Sequence, residues 1–126
     1  MKEQQILVKG LINEFAAEGL EIMSAVSEGY KKPEKVKVHQ PDIIGWDPEK
    51  ELFYLGTIKT QNDDLSSTKT GEQFYELSNL VMSKGRSQGK RLPYYIGVPK
   101  DKLPNIKKAL VDFGISKREN IYTVGL

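Results

Sequence analysis

Asp42 and Lys59 stand at the two ends of one stretch, PDIIGWDPEKELFYLGTIK, and everything between them reads as a β-hairpin. An apolar run at Ile43 and Ile44 leads into a turn over Trp46-Asp47-Pro48-Glu49-Lys50, and Leu52 to Lys59 returns as a second run. Alternation puts Phe53, Leu55, Thr57 and Lys59 on one face, and Leu52, Tyr54, Gly56 and Ile58 on the other. Antiparallel pairing then draws the acid at the hairpin's open start towards the lysine at its open end. A carboxylate can hold a hard cation or a proton, and an ammonium group beside it can neutralise an anion such as a phosphate.

Composition limits the chemistry available. With no cysteine in 126 residues there is no disulfide, thiolate metal site or thiol nucleophile, and a reducing cytoplasm is the expected compartment. A single histidine, His39, rules out a histidine-rich metal centre and reads as a structural hydrogen-bonding residue. Charged residues at 29% and hydrophobic ones at 38% are an ordinary soluble balance. No apolar run approaches the roughly 20 residues of a membrane span, and Met1 to Gln5 is not a signal peptide. Net charge is +2 but uneven: residues 1–30 carry −3, whereas residues 84–126 hold ten basic side chains against three acidic ones. That basic end, including Lys84, Arg86, Lys90 and Arg91, fits a phosphate backbone, or equally a lysine-coated solvated surface.

The elements that must position Asp42 and Lys59 follow in order. Leu7, Val8, Leu11, Ile12 and Phe15 form an apolar helical stripe over residues 2–18, with Gly19 as its cap and Glu14 and Glu18 on its polar side. Leu20 to Val26 is a short β-run. Residues 30–35 form a polar loop, and Val36 to Gln40 alternates into the Asp42 strand. A polar linker over residues 60–69 precedes a helix whose capping box is Thr70 and Gln73, whose buried stripe is Phe74, Leu77, Leu80 and Val81, and whose stop is Gly85. Leu92 to Val98 reads as a strand buried on both faces, Pro104 to Phe113 as a helix capped by Gly114, and Ile121 to Val124 as a last strand.

Pro41-Asp42 followed on the next strand by Lys59 resembles the PD-(D/E)xK nuclease superfamily, with Thr57 standing where the second motif acid belongs. Residues 2–98 share that superfamily's order of helix, three strands, helix, strand. The resemblance implies one restriction-endonuclease-like α/β domain over residues 1–126: an αβββαβ core, a mixed central sheet flanked by helices, and a C-terminal helix and strand. It implies a Mg²⁺-dependent nuclease, with Mn²⁺ as a substitute, hydrolysing DNA phosphodiester bonds. Asp42 would be the central metal ligand and the Ile58 carbonyl another, with Lys59 orienting water or neutralising the scissile phosphate. Thr57 offers only a hydroxyl, a poor magnesium ligand. Glu72, with twelve residues between it and Lys59, resembles the relocated acid of some type II restriction enzymes and would complete the catalytic set. Glu72 also reads as a first-turn acid favoured by the helix dipole. Gln73 resembles a helix glutamine of several nuclease subfamilies, and Glu14 or Glu18 the metal-assisting glutamate of the first helix. Likeness to archaeal-type Holliday junction resolvases implies a homodimer. The alternatives are a catalytically inactive nuclease-fold protein that binds nucleic acid or a protein partner, and a general α/β partner-binding domain.

Overall fold

A computed structural model describes residues 2–126; Met1 lies outside it. Helix α1 (Glu3–Ala17) is followed by β1 (Glu21–Ala25), β2 (Ile43–Asp47), β3 (Leu52–Ile58), α2 (Thr68–Ser78), β4 (Tyr94–Val98), a 3-10 turn (Lys100–Lys102), α3 (Leu103–Asp112) and β5 (Ile121–Gly125). The five strands form one mixed sheet in sequential order. β1, β2 and β3 pair antiparallel, whereas β3–β4 and β4–β5 pair parallel. The hairpin closes as its sequence indicates: Asp47 Oδ1 accepts the N–H groups of Glu49 and Lys50 at 3.0 and 3.1 Å. Glu51 takes the left-handed backbone (φ 53°) at the re-entry to β3.

One face of the sheet is covered by α1, whose Leu7, Val8, Leu11, Ile12 and Phe15 are buried. Glycines let it come close. A Cβ added at Gly56 would lie 2.8 Å from Leu11 Cδ2, and one at Gly45 would lie 3.0 Å from Phe15 Cδ2. Phe15 meets Tyr54 and Tyr95 edge-on at 6.2 and 5.1 Å. Across the sheet, Phe74 of α2 packs edge-on against Tyr94 at 6.4 Å and against Phe113 at 6.2 Å. Ile106 and Leu110 of α3 complete that layer. β4 is buried along its whole length, as its unbroken apolar run requires.

Two segments differ from their sequence pattern. Val36 to Gln40 alternates but forms no strand: Val36 and His39 exchange backbone hydrogen bonds across a tight turn, and Lys37 adopts φ 58°. β2 therefore starts at Ile43, and Asp42 sits just before it. Helix α2 starts at Thr68, not at a Thr70 cap. Ser67 is the N-cap, its Oγ accepting the Thr70 N–H at 3.1 Å, and the Thr70 hydroxyl instead donates to the Asp64 carbonyl at 2.9 Å. The helix ends at Ser78, well short of Gly85, because residues 80–82 peel away to bond with residues 90–92; Val81 is exposed and bridges to Arg91.

Cap position is directly testable. Ser67→Ala is expected to lower stability by about 1 kcal/mol in urea unfolding. Gln73→Ala should shift it by less than about 0.5 kcal/mol; the reverse ranking would restore the cap to Thr70.

Candidate functional site

Asp42 is held where the hairpin opens. Its backbone N–H donates to the Gly56 carbonyl and its own carbonyl accepts from Val26 N–H, each at 2.8 Å. Its side chain turns back on the sheet, and Oδ2 accepts the Ile58 N–H at 2.7 Å, so a carboxylate takes a place that a neighbouring strand's carbonyl would otherwise fill. Register pairs Ile43 with Gly56, which puts Asp42, Thr57 and Lys59 on the α2 side of the sheet. Lys59 follows directly on β3, fixed by its N–H to the Gly97 carbonyl at 2.9 Å.

Both charged groups are partly withdrawn from water. Burial pushes the Asp42 carboxyl above its ordinary value, against the lowering effect of the Ile58 N–H and the Lys59 charge, while the Asp63 charge adds to the rise. Burial likewise pushes the Lys59 ammonium down, opposed by Asp63 and Asp42 and assisted by Lys69. Lys59 Nζ lies 5.9 Å from the centre of the Phe74 ring, and among the described residues it makes no ion pair within 4.0 Å. Asp63 Oδ2 is fixed by the N–H and hydroxyl of Thr60 at 2.7 and 3.0 Å. Beside Lys59 opens a hollow of about 400 Å³ whose walls include His39, Gln40, Asp63, Lys69, Thr70 and Gln73.

The other candidates fall elsewhere. Thr57 is buried beneath Asp42, and its hydroxyl accepts from the Tyr94 hydroxyl at 2.8 Å. Glu72 is exposed and lines a separate hollow with Tyr75 and Phe113. Two residues along a helix is about 200° of rotation, so Glu72 faces away from the buried Phe74, while Gln73 lines the Lys59 hollow together with Lys69 and Thr70 of the same helix. Glu14 is exposed, and Glu18 accepts from the Tyr95 hydroxyl at 3.1 Å on the α1 side of the sheet. Arg86 is tied to Glu51 at 3.7 Å and to the Glu49 carbonyl; Arg91 reaches Asn79 Oδ1 at 3.2 Å; Lys84 and Lys90 are exposed.

Sequence reasoning missed Asp63, hidden in a polar linker without periodicity, and the His39–Glu76 contact. His39 Nε2 and Glu76 Oε2 lie 3.0 Å apart, shielded from water and with no other partner among the described residues, and they pin the Val36–Gln40 turn to α2 at the rim of the hollow. Among the described residues no helix is long and apolar enough to cross a membrane. The chain matches no family model, no curated protein and no solved structure.

Because the raised Asp42 pKa means the folded state binds its proton more tightly than the unfolded chain, the ionised group costs stability at neutral pH. That cost is absent below the unfolded value near 4 and grows as pH rises through the folded value. Asp42→Asn, which keeps an acceptor for Ile58 N–H, is expected to melt above the wild type at pH 7. The gap should close as pH falls to about 3.5. Lys59→Met should also raise the melting temperature at pH 7, with its gap narrowing as pH rises towards the unfolded lysine value near 10.4. A melting temperature lowered at pH 7 by both substitutions would contradict the burial cost.

Proposed function

We propose that this chain is a Mg²⁺-dependent nuclease with a restriction-endonuclease-like core, hydrolysing DNA phosphodiester bonds at Asp42 and Lys59. The observation that carries the reading is the nearness of those two groups, each partly desolvated and neither in a contact ion pair among the described residues, at the mouth of the β2–β3 hairpin. Structural sites seldom leave charges in that condition, whereas functional ones are built from them. The element order from α1 through β4 supports the fold assignment, with the first three strands antiparallel and the fourth parallel to the third.

The donor set bears on the metal. Among the described residues no group of three or more His, Asp or Glu side chains converges on one point. Asp42 supplies one carboxylate, Ile58, whose N–H bonds that carboxylate, offers its carbonyl, and Asp63 is the nearby second acid, a place for which Glu72 is turned the wrong way. Two carboxylates fit an ion that keeps most of its waters and shares substrate phosphates, which is how magnesium binds in phosphoryl-transfer sites. When bound, such an ion neutralises non-bridging oxygens and acidifies a water ligand. The chain's own part is to hold a carboxylate at fixed orientation through Ile58 N–H and to present the Lys59 ammonium to the phosphate. The Gln73 amide can donate from α2 into the same hollow.

A second reading, a nuclease-fold scaffold that binds nucleic acid without cutting it, is favoured by Thr57, which is sealed against Tyr94 in the place of the second motif acid. Plasmid nicking separates the two. With Mg²⁺ or Mn²⁺ the wild type should nick supercoiled DNA. Asp42→Ala and Lys59→Ala should lower the rate by about 100-fold or more, Asp63→Asn by about 10-fold, and Glu72→Gln should leave it unchanged. DNA binding that weakens with salt, without metal-dependent nicking, selects the scaffold.

A further inference from the structure

At the other end of the sheet, below the start of β4, lies a hollow of about 660 Å³ whose walls carry Lys90, Arg91, Lys117 and Arg118 against one carboxylate, Glu119. None of the four cations is in an ion pair within 4.0 Å among the described residues. The hollow beside α3 differs: there Lys102 and Lys108 share the walls with Asp63, Asp64 and Asp112, and Lys108 is bonded to Asp112 at 2.9 Å. Four cations against one carboxylate make this hollow's charge more one-sided than that of the hollow beside α3. Two of its cations are also held in place. Arg118 donates to the Tyr75 carbonyl at 3.0 Å and the Ser78 hydroxyl at 2.6 Å and lies 4.4 Å over the Tyr75 ring, while Arg91 is bonded to Asn79.

The same hollow includes Tyr122, an aromatic ring left 45% exposed on the outermost strand. Its inner face is stacked on Tyr95 at 4.8 Å and 22°, and Tyr95 is braced edge-on by Phe15. The ring is thus a rigid shelf with cations beside it. Fixed cations that follow a backbone, next to an aromatic face on which a base can stack, are how single-stranded nucleic acid is gripped without sequence preference.

We propose that this basic hollow is a second binding site, for a single-stranded nucleic-acid segment, with Lys90, Arg91, Lys117 and Arg118 on phosphates and Tyr122 stacking a base. It rests on the nucleic-acid part of the nuclease reading and needs nothing of its chemistry. Pro93 at this hollow, just before β4, and Gly97, which bonds Lys59, are four residues apart, so about 13 Å of extended chain separates them.

The test uses Asp42→Asn protein in EDTA, so that cleavage plays no part, and fluorescence anisotropy of a labelled oligothymidine. Four phosphate contacts predict a slope of log K against log salt of about −3. Lys90→Gln with Lys117→Gln should weaken binding at least about 10-fold and flatten the slope by about 1.4. Tyr122→Leu should weaken it about 5-fold or more, while Tyr122→Phe retains affinity. Lys102→Gln with Lys107→Gln serves as the charge-matched control and should change the slope little. Equal losses from both lysine pairs would overturn the proposal in favour of diffuse charge attraction, as would binding indifferent to Tyr122→Leu. Failure here leaves nicking by the wild type untouched, and absence of nicking leaves this binding untouched.

Discussion

A carboxylate bonded to a strand N–H sets the character of this molecule. Asp42 closes the end of the β2–β3 ladder with its side chain, 2.7 Å from Ile58 N, and in doing so keeps a negative charge at the sheet's mouth under partial burial. A backbone carbonyl in the same place would satisfy Ile58 equally and bring no charge. Lys59 follows from the same geometry, since the residue after Ile58 must continue on the α2 side of the sheet, with Thr57 two positions before it. The packing that makes room is specific. Glycines at 45 and 56 let α1 seat closely on the opposite face, and Phe74 and Tyr94 fill the space beneath the charges.

The burial of Asp42 and Lys59 opposes folding. Among the described residues neither charge has a contact ion pair, and each is shifted towards its neutral form mainly by loss of water. Asp63 and Lys69 lie in their field on the exposed side, so these four groups set two charges of each sign at the sheet's mouth, with no ion pair among them within 4.0 Å. Such an arrangement gains most from a ligand that brings its own charges, a phosphate for the amine and a cation for the acids.

Where local rules decided the outcome, the sequence was readable. The hairpin follows from alternation and an Asp-Pro turn, β4 from an uninterrupted apolar run, and α3 from a proline in its first turn with Gly114 after its end. Where a tertiary contact decided, it was not. Val36 to Gln40 has the alternation of a strand, but His39 is drawn to Glu76 and the Gln40 amide donates to the Pro33 carbonyl at 2.6 Å, which closes the segment into a turn. Ser67 and Thr70 both have side chains suited to capping, and only the Asp64 carbonyl, which engages the Thr70 hydroxyl, separates them. The orientation of Glu72 was available from its spacing to Phe74. The nearness of Asp63 was not, because it depends on a linker held by Thr60.

The partial burial of the sheet's mouth is expressed in the ionisation of Asp42. Carbon-13 NMR of the Asp42 carboxyl carbon, titrated in the wild type and in Asp63→Asn, reads it directly. Burial should hold the Asp42 pKa above the ordinary aspartate value near 3.9, and removing the Asp63 charge should lower it. An Asp42 that titrates at or below that value, indifferent to Asp63, would mean that the carboxylate is solvated and that the sheet's mouth holds no desolvated charge for a substrate to meet.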